Sequence, residues 1–211
     1  LLGTRLVRTF PDGSTAALVV VETEAYLGVE DRAAHTFGGR RTARVQPMWG
    51  PGGHAYVYSI YGMHHCLNVV TREEGTPQAV LVRAAVPEAW WRGELVPKEE
   101  LLASSGPGRL CRELALTRAD SGASLSGPLL RLTAGPPRAF EILVGPRVGV
   151  DYAGEAALWP LRFAVAGCPA VTARRTLAPL NPPAGPSATP PSRRSSSRSA
   201  SPGREPGRRA R

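Results

Sequence analysis

Lysine is nearly missing from this chain. Lys98 is the only one, and the other twenty-five basic side chains are arginine, a bias expected of a GC-rich source. Cysteine is sparse too. Cys66, Cys111 and Cys168 stand far apart and match no metal-ligand spacing, and so odd and small a set suits a reducing cytosol. No apolar run approaches the roughly 18–20 residues of a membrane span, so no membrane partner is expected. The start, "LLGTRLVRTF", lacks the apolar core and cleavage site of a secretion signal, and a cytoplasmic location is expected.

What is abundant is positive charge, but it is unevenly placed. The formal charge is +9, and the stretch Leu177 to Arg211 holds seven arginines and one glutamate. The other 176 residues therefore carry only +3, a weak hint of a nucleic-acid partner. That last stretch also holds eight of the 21 prolines, with serine filling much of the rest. Such a composition cannot bury enough apolar surface to fold, so residues 177–211 read as a disordered basic tail and residues 1–176 as the single folded domain.

Within the domain, "LVVVETEAYL" (18–27) begins as a buried strand and turns abruptly acidic. Residues 31–53 are irregular, glycine-rich and basic, which predicts a long surface loop. "HAYVYSIYGMHHCLNVV" (54–70) reads as two strands around a turn near Gly62, and "QAVLVRAAV" (78–86) as another strand. "GPGRLCRELAL" (106–116) places Leu110, Cys111, Leu114 and Ala115 at helical spacing. "PRVGVDYAG" and "PLRFAVAG" look like closing strands or strand–turn units. Strands dominate without regular βαβ alternation, so the expected class is α+β, with a curved, mostly antiparallel sheet and few helices.

A few side chains sit where the pattern does not call for them. Alternation puts Glu22, Glu24 and Tyr26 on one face of a strand end. They are either a solvated terminus or a general base held beside an aromatic. Arg83 interrupts an apolar strand and needs an ionic partner. A salt bridge to Glu22 or Glu24 would supply one, and positioning a phosphate or a water is the functional alternative. His35 is a lone loop histidine, solvated unless a pocket claims it. His64 and His65 point to opposite strand faces and so are not a metal pair. Three of the five tyrosines crowd into "YVYSIY". Tyr56 suits the core, whereas Tyr61 at the turn is placed to act as a wedge between bases or a stacking wall. Tyr56 and Tyr58 nominally share a face, so a twist or bulge is expected to separate them.

"VETEAYLG", "DRAAHTFGGR", "HAYVYSIYGMHHCLN" and "VLVRAAVP", in this order and spacing, closely resemble the 3-methyladenine (alkyladenine) DNA glycosylase family. "GPGRLCRELAL" and "PRVGVDYAGEAALWPLRF" agree, so the resemblance covers residues 1–171. It implies a base-flipping enzyme acting on double-stranded DNA, in a bacterium at the nucleoid, as a monomer and with no metal or organic cofactor. It implies hydrolysis of the N-glycosidic bond of alkylated or deaminated purines, with Glu24 as general base. Arg83 would hold the water and the adjoining phosphate. Tyr26, His35 and Tyr58 would line the pocket, Asn68 would reject the amino group of normal guanine, and Tyr61, on a DNA-inserting hairpin, would fill the gap in the duplex. Backbone around Arg147 to Val150 would complete the water site. Lys98, the one candidate for a Schiff base, lies outside every matched stretch, so a monofunctional enzyme is expected.

The chain also departs from the family's pattern. Family members usually carry further residues upstream of "LLGTRLVR", so the resemblance implies a truncated N-terminus. Val45 stands where a polar residue is common, the stretch 88–105 is divergent and short, and Ala156 replaces the usual aromatic, with Trp159 nearby. A non-catalytic damaged-DNA-binding protein on the same fold is the alternative reading.

Overall fold

A computed structural model describes residues 1–180; the expected tail from residue 181 onward lies outside the described residues. Nine strands form one antiparallel sheet. They are β1 (Arg5–Thr9), β2 (Thr15–Tyr26), β3 (Ala55–Ile60), β4 (His64–Val70), β5 (Ala79–Pro87), β6 (Leu130–Thr133), β7 (Ile142–Gly145), β8 (Arg162–Val165) and β9 (Ala178–Pro179). The principal order is β3-β4-β5-β2-β8-β7-β9, with β1 bridging β2 and β6. β9, paired to β7, continues the sheet just past the expected domain end at residue 176. Among the described residues no helix is long and apolar enough to cross a membrane.

β2 is the hub. One of its edges pairs with β5, and the other pairs first with β1 and then with β8. Its first half is apolar on both faces because both faces are covered. Leu18 and Val20 pack in one core cluster, Val19 and Val21 in another. Alternation then carries Glu22, Glu24 and Tyr26 onto one side of the strand, as read from the sequence.

Register shifts in the β2–β5 ladder leave Val21 and then Arg83 without an opposite residue. Side-chain parity on β5 changes accordingly. Val82 and Ala85 join one cluster, while Ala84 and Val86 join the other, a spacing that regular alternation forbids. The extra residue of a bulge is freed to re-aim its side chain. Arg83 is that residue.

Three short helices follow β5: α1 (Glu88–Trp91), α2 (Lys98–Leu102) and α3 (Pro107–Glu113). α3 lies on β4 and β5 and buries Leu110 and Cys111, with Leu114 following at its end. Ala115, expected on that buried face, is instead exposed with φ +46, in the left-handed turn that ends the helix.

Two further expectations need correcting. Residues 31–53 are not simply a surface loop. Short 3₁₀ turns fold them back, so that Asp31, Ala33, Ala34, Thr36, Val45 and Met48 are buried. "PRVGVDYAG" is no strand either; it forms a loop and the 3₁₀ segment Asp151–Leu158, broken at Gly154.

Candidate active site

The site is built where β2, the hairpin β3–β4, the 31–53 segment and the Arg147–Tyr152 loop meet. They enclose a cavity of about 400 Å³, a volume usual for small-molecule sites. Aromatic side chains dominate its wall: Tyr26, His35, Tyr56 and Tyr58 all line it, with Tyr61 at the rim. Asn68, Arg83 and the segment 148–150 also line it.

Tyr56 and Tyr58 sit side by side with ring centroids 5.5 Å apart. β3 pairs with β4 in unbroken register from Ala55 to Ile60. The bulge expected to separate them is therefore absent, because Tyr56 serves both purposes. Its ring fills the cluster of Val45, Met48, Val70 and Ala79, while its hydroxyl lies 2.8 Å from Nδ1 of His35. Val45, where a polar residue was expected, is part of that buried backing.

The His35 imidazole meets the Tyr58 ring edge-on at 4.6 Å. Burial, followed by the charges of Arg44 and Arg40, lowers its pKa to about 4, so it is neutral at neutral pH. Burial raises the Tyr56 hydroxyl to about 12, keeping it protonated. With both groups neutral, either Tyr56 O–H donates to Nδ1 or Nδ1–H donates to the Tyr56 oxygen, according to the His35 tautomer.

Glu24 lies beneath this wall and is fully buried. Its Oε1 accepts from the Val148 N–H at 2.8 Å and faces Nη1 of Arg83 at 3.1 Å; its Oε2 accepts from Tyr26 O–H at 2.9 Å. Burial and then the neighbouring Glu24 charge raise the Tyr26 pKa, so this hydroxyl keeps its proton. Each carboxylate oxygen has two lone-pair directions. One direction on Oε1 is taken by the Val148 N–H and one on Oε2 by the Tyr26 hydroxyl, so Oε2 keeps one free.

Glu22, the other acid of the pair, has a different surround. Its carboxylate accepts from Arg83 Nε at 3.0 Å, from the Thr172 N–H at 2.8 Å and from the Thr172 hydroxyl, with Arg162 at 3.4 Å. Arg83 thus bridges both carboxylates, and the two alternatives open in its sequence are compatible: it is a salt bridge that also reaches the cavity. Burial alone would lower its pKa, but the carboxylates of Glu24 and Glu22 outweigh that and raise it. Its charge is permanent.

Asn68 is buried opposite Tyr56 and donates from Nδ2 to the Tyr56 carbonyl at 3.2 Å. Tyr61 is 84% exposed at the hairpin tip, with φ +52, followed by Gly62 at φ +72. His64 is exposed beside the tip, His65 is half-buried, and neither meets a second ligand. Among the described residues no group of three or more His, Cys, Asp and Glu could hold a metal ion. Lys98 is exposed at the start of α2 and is not part of the cavity wall.

Sequence reasoning missed the support behind the aromatic wall. Arg147 and Asp31 form a buried ion pair, with Nη2 to Oδ1 at 2.8 Å. Arg147 also donates to the carbonyls of Ala25 and Ala156, and its guanidinium lies 4.8 Å from the Tyr26 ring centroid. Asp31 in turn accepts from the backbone N–H groups of Leu27 and Ala33. The pair ties the end of β2, the following loop and the Val148 backbone into one frame. The only sequence signal was a charged residue in each of two irregular, glycine-containing stretches.

Comparison with known proteins agrees with this architecture. The family model described as Methylpurine-DNA glycosylase (MPG) matches residues 1–169. A protein of Bacillus cereus (strain B4264), named "Putative 3-methyladenine DNA glycosylase", is 42% identical over 186 residues, covering 82% of this chain and 90% of its own. A protein of Desulfitobacterium hafniense (strain Y51) with the same name is 44% identical over 176 residues, covering 77% of this chain and 85% of its own.

Proposed function

The chain belongs to the methylpurine-DNA glycosylase family, and on that premise we propose that it removes alkylated and deaminated purines from double-stranded DNA by water-driven hydrolysis. The damaged nucleotide, of the 3-methyladenine, 7-methylguanine or hypoxanthine class, swings out of the duplex into the aromatic cavity. Flipping costs a few kcal/mol and least for a damaged or mispaired base, which supplies part of the selectivity. Tyr26, Tyr58 and His35 present flat faces and edges suited to an electron-poor ring. Asn68 stands where an exocyclic amino group would crowd it.

The observation that carries this reading is the setting of Glu24, fixed by the Val148 N–H and Arg83 on one oxygen and holding a free lone-pair direction on the other. A water bound there gives a proton to Oε2 as its oxygen attacks the sugar C1′. The C1′–N bond breaks, its electron pair leaves with the base, and a hydroxyl remains on C1′ at the abasic site. A cationic base such as 3-methyladenine is neutralised by those electrons and needs no acid. A neutral base such as hypoxanthine needs a proton, which His35, with its depressed pKa, does not carry at neutral pH. With Lys98 away from the cavity, water is the nucleophile and the enzyme is monofunctional. It acts as a monomer at the bacterial nucleoid.

The test is excision from a duplex holding hypoxanthine or 3-methyladenine, followed by alkali to cleave abasic sites. The unsubstituted protein is expected to yield strand breaks, and Glu24→Gln to bind the damaged duplex but yield only background. Equal breakage from both would remove Glu24 from the mechanism. Background breakage from both would leave a binding protein.

A further inference from the structure

Tyr61 is a partition as well as a tip. Together with Ile60, Cys66 and Pro107 it borders the aromatic cavity on one side and a second, larger hollow on the other. This second hollow, about 760 Å³, runs between the hairpin and α3. Met63, His64 and His65 line its hairpin side, and Arg109, Arg112 and Thr117 its other side. None of these six has a role in the chemistry above.

Three features show what kind of ligand fits. Met63 is a second large apolar side chain at the tip, 72% exposed, and it borders the second hollow but not the aromatic cavity. Arg109 and Arg112 are exposed one turn apart on α3, and neither has a carboxylate partner among the described residues. Glu113, on the same helix, does not line the hollow. The walls are held at a set separation, because α3 approaches the hairpin at Gly108, where a Cβ would stand 3.3 Å from His64. An apolar, polarizable contact beside two unpaired guanidiniums suits a nucleotide, with its flat base and its phosphodiester.

We infer that this hollow receives the undamaged strand, at the pyrimidine nucleotide that loses its partner when the damaged purine leaves. The inference rests on the glycosylase reading. A wedge entering a duplex separates two strands, and only one nucleotide can occupy the aromatic cavity. The orphaned base lies on the other side of Tyr61, where Met63 meets its face, and Arg109 and Arg112 meet its phosphates. Binding it there removes the competitor that would draw the purine back into the helix.

The test compares one damaged sequence as duplex and as single strand, with binding measured in a Glu24→Gln background that keeps the DNA intact. For Arg109→Gln/Arg112→Gln the slope of log affinity against log salt is expected to become shallower by about 2 on the duplex, one per lost phosphate contact, and by less than half as much on the single strand. A fluorescent pyrimidine opposite the lesion is expected to change emission on binding, and Met63→Ala to suppress that change. Equal slope changes on both substrates, or none on either, would overturn the inference, as would an emission change untouched by Met63→Ala. Failure of the unsubstituted protein to make abasic sites is a separate result and would strike the function instead.

Discussion

Two acids two residues apart on one strand face meet opposite surroundings, and neighbours rather than identity divide their work. Glu22 is enclosed by Arg83, Arg162 and Thr172, whereas Glu24 faces Arg83, Val148 and a tyrosine hydroxyl at the cavity. His35 shows the same dependence on surroundings, and its titration can be followed. Its pKa is lowered from 6.5 to about 4, so between those values the unfolded chain binds the proton that the folded one refuses. Stability therefore rises with pH through that window: the folded state is penalised as pH falls from 6.5 toward 4 and free of this penalty above it. Melting temperatures of the protein and of His35→Asn, taken across pH 4 to 7, are expected to show a shallower acid-side decline in the variant. Parallel curves would mean that His35 titrates as it does in water. The Arg147–Asp31 pair has larger stakes. Asp31→Asn leaves a buried guanidinium without its counter-charge, and breaking such a pair costs about 3–5 kcal/mol. Urea unfolding should show that loss, and a change below about 1 kcal/mol would mean that solvent reaches Arg147 in the folded protein.

The hairpin of β3 and β4 carries a conformational cost at its tip. A left-handed conformation at a non-glycine residue costs about 1–2 kcal/mol, and Tyr61 adopts one while 84% exposed. Packing does not repay it. Tyr61→Gly relieves the strain but loosens the unfolded chain, so stability should stay within about 1 kcal/mol while excision from duplex DNA falls. Thermal denaturation and single-turnover excision separate the two effects, and a large loss of stability would make the residue structural. The hairpin was legible beforehand because two β-rich runs flank a glycine turn. The β5 strand was legible for the same reason. The bulge that turns Arg83 was not, since a one-residue slip leaves an apolar run looking continuous. Nor could the expected separation of Tyr56 from Tyr58 be checked without coordinates, because one ring can pack in a core and still offer a hydroxyl to a pocket.

Across the whole molecule, the sequence disclosed the antiparallel class and several of the residues that line the cavity, Tyr26, His35, Tyr58 and Asn68 among them, but little of what holds them there. Glu24 and Tyr26 are neighbours in sequence, so alternation was enough to join them. Asp31 and Arg147 are 116 residues apart, in stretches without periodicity. Pairing at that separation is decided by the closed fold and cannot be heard in any local pattern. The buried turns of residues 31–53 escaped for a similar reason: their polar composition reads as surface, yet Ala33 packs with Val150 and Ala153, and Val45 and Met48 pack with Tyr56, Val70 and Ala79.

The position of β2 has a temporal consequence. Its amides are hydrogen-bonded to β1, β5 and β8 along both edges, and groups so placed open only with the whole domain. In deuterium-exchange measurements the protons of Val20 to Glu24 should outlast those of the hairpin tip by orders of magnitude. Fast exchange at Glu24 in the free protein would show that the hub frays. If it does not, the molecule divides its clock: the exposed hairpin tip exchanges quickly, while the strand that carries Glu24 keeps its place for the lifetime of the fold.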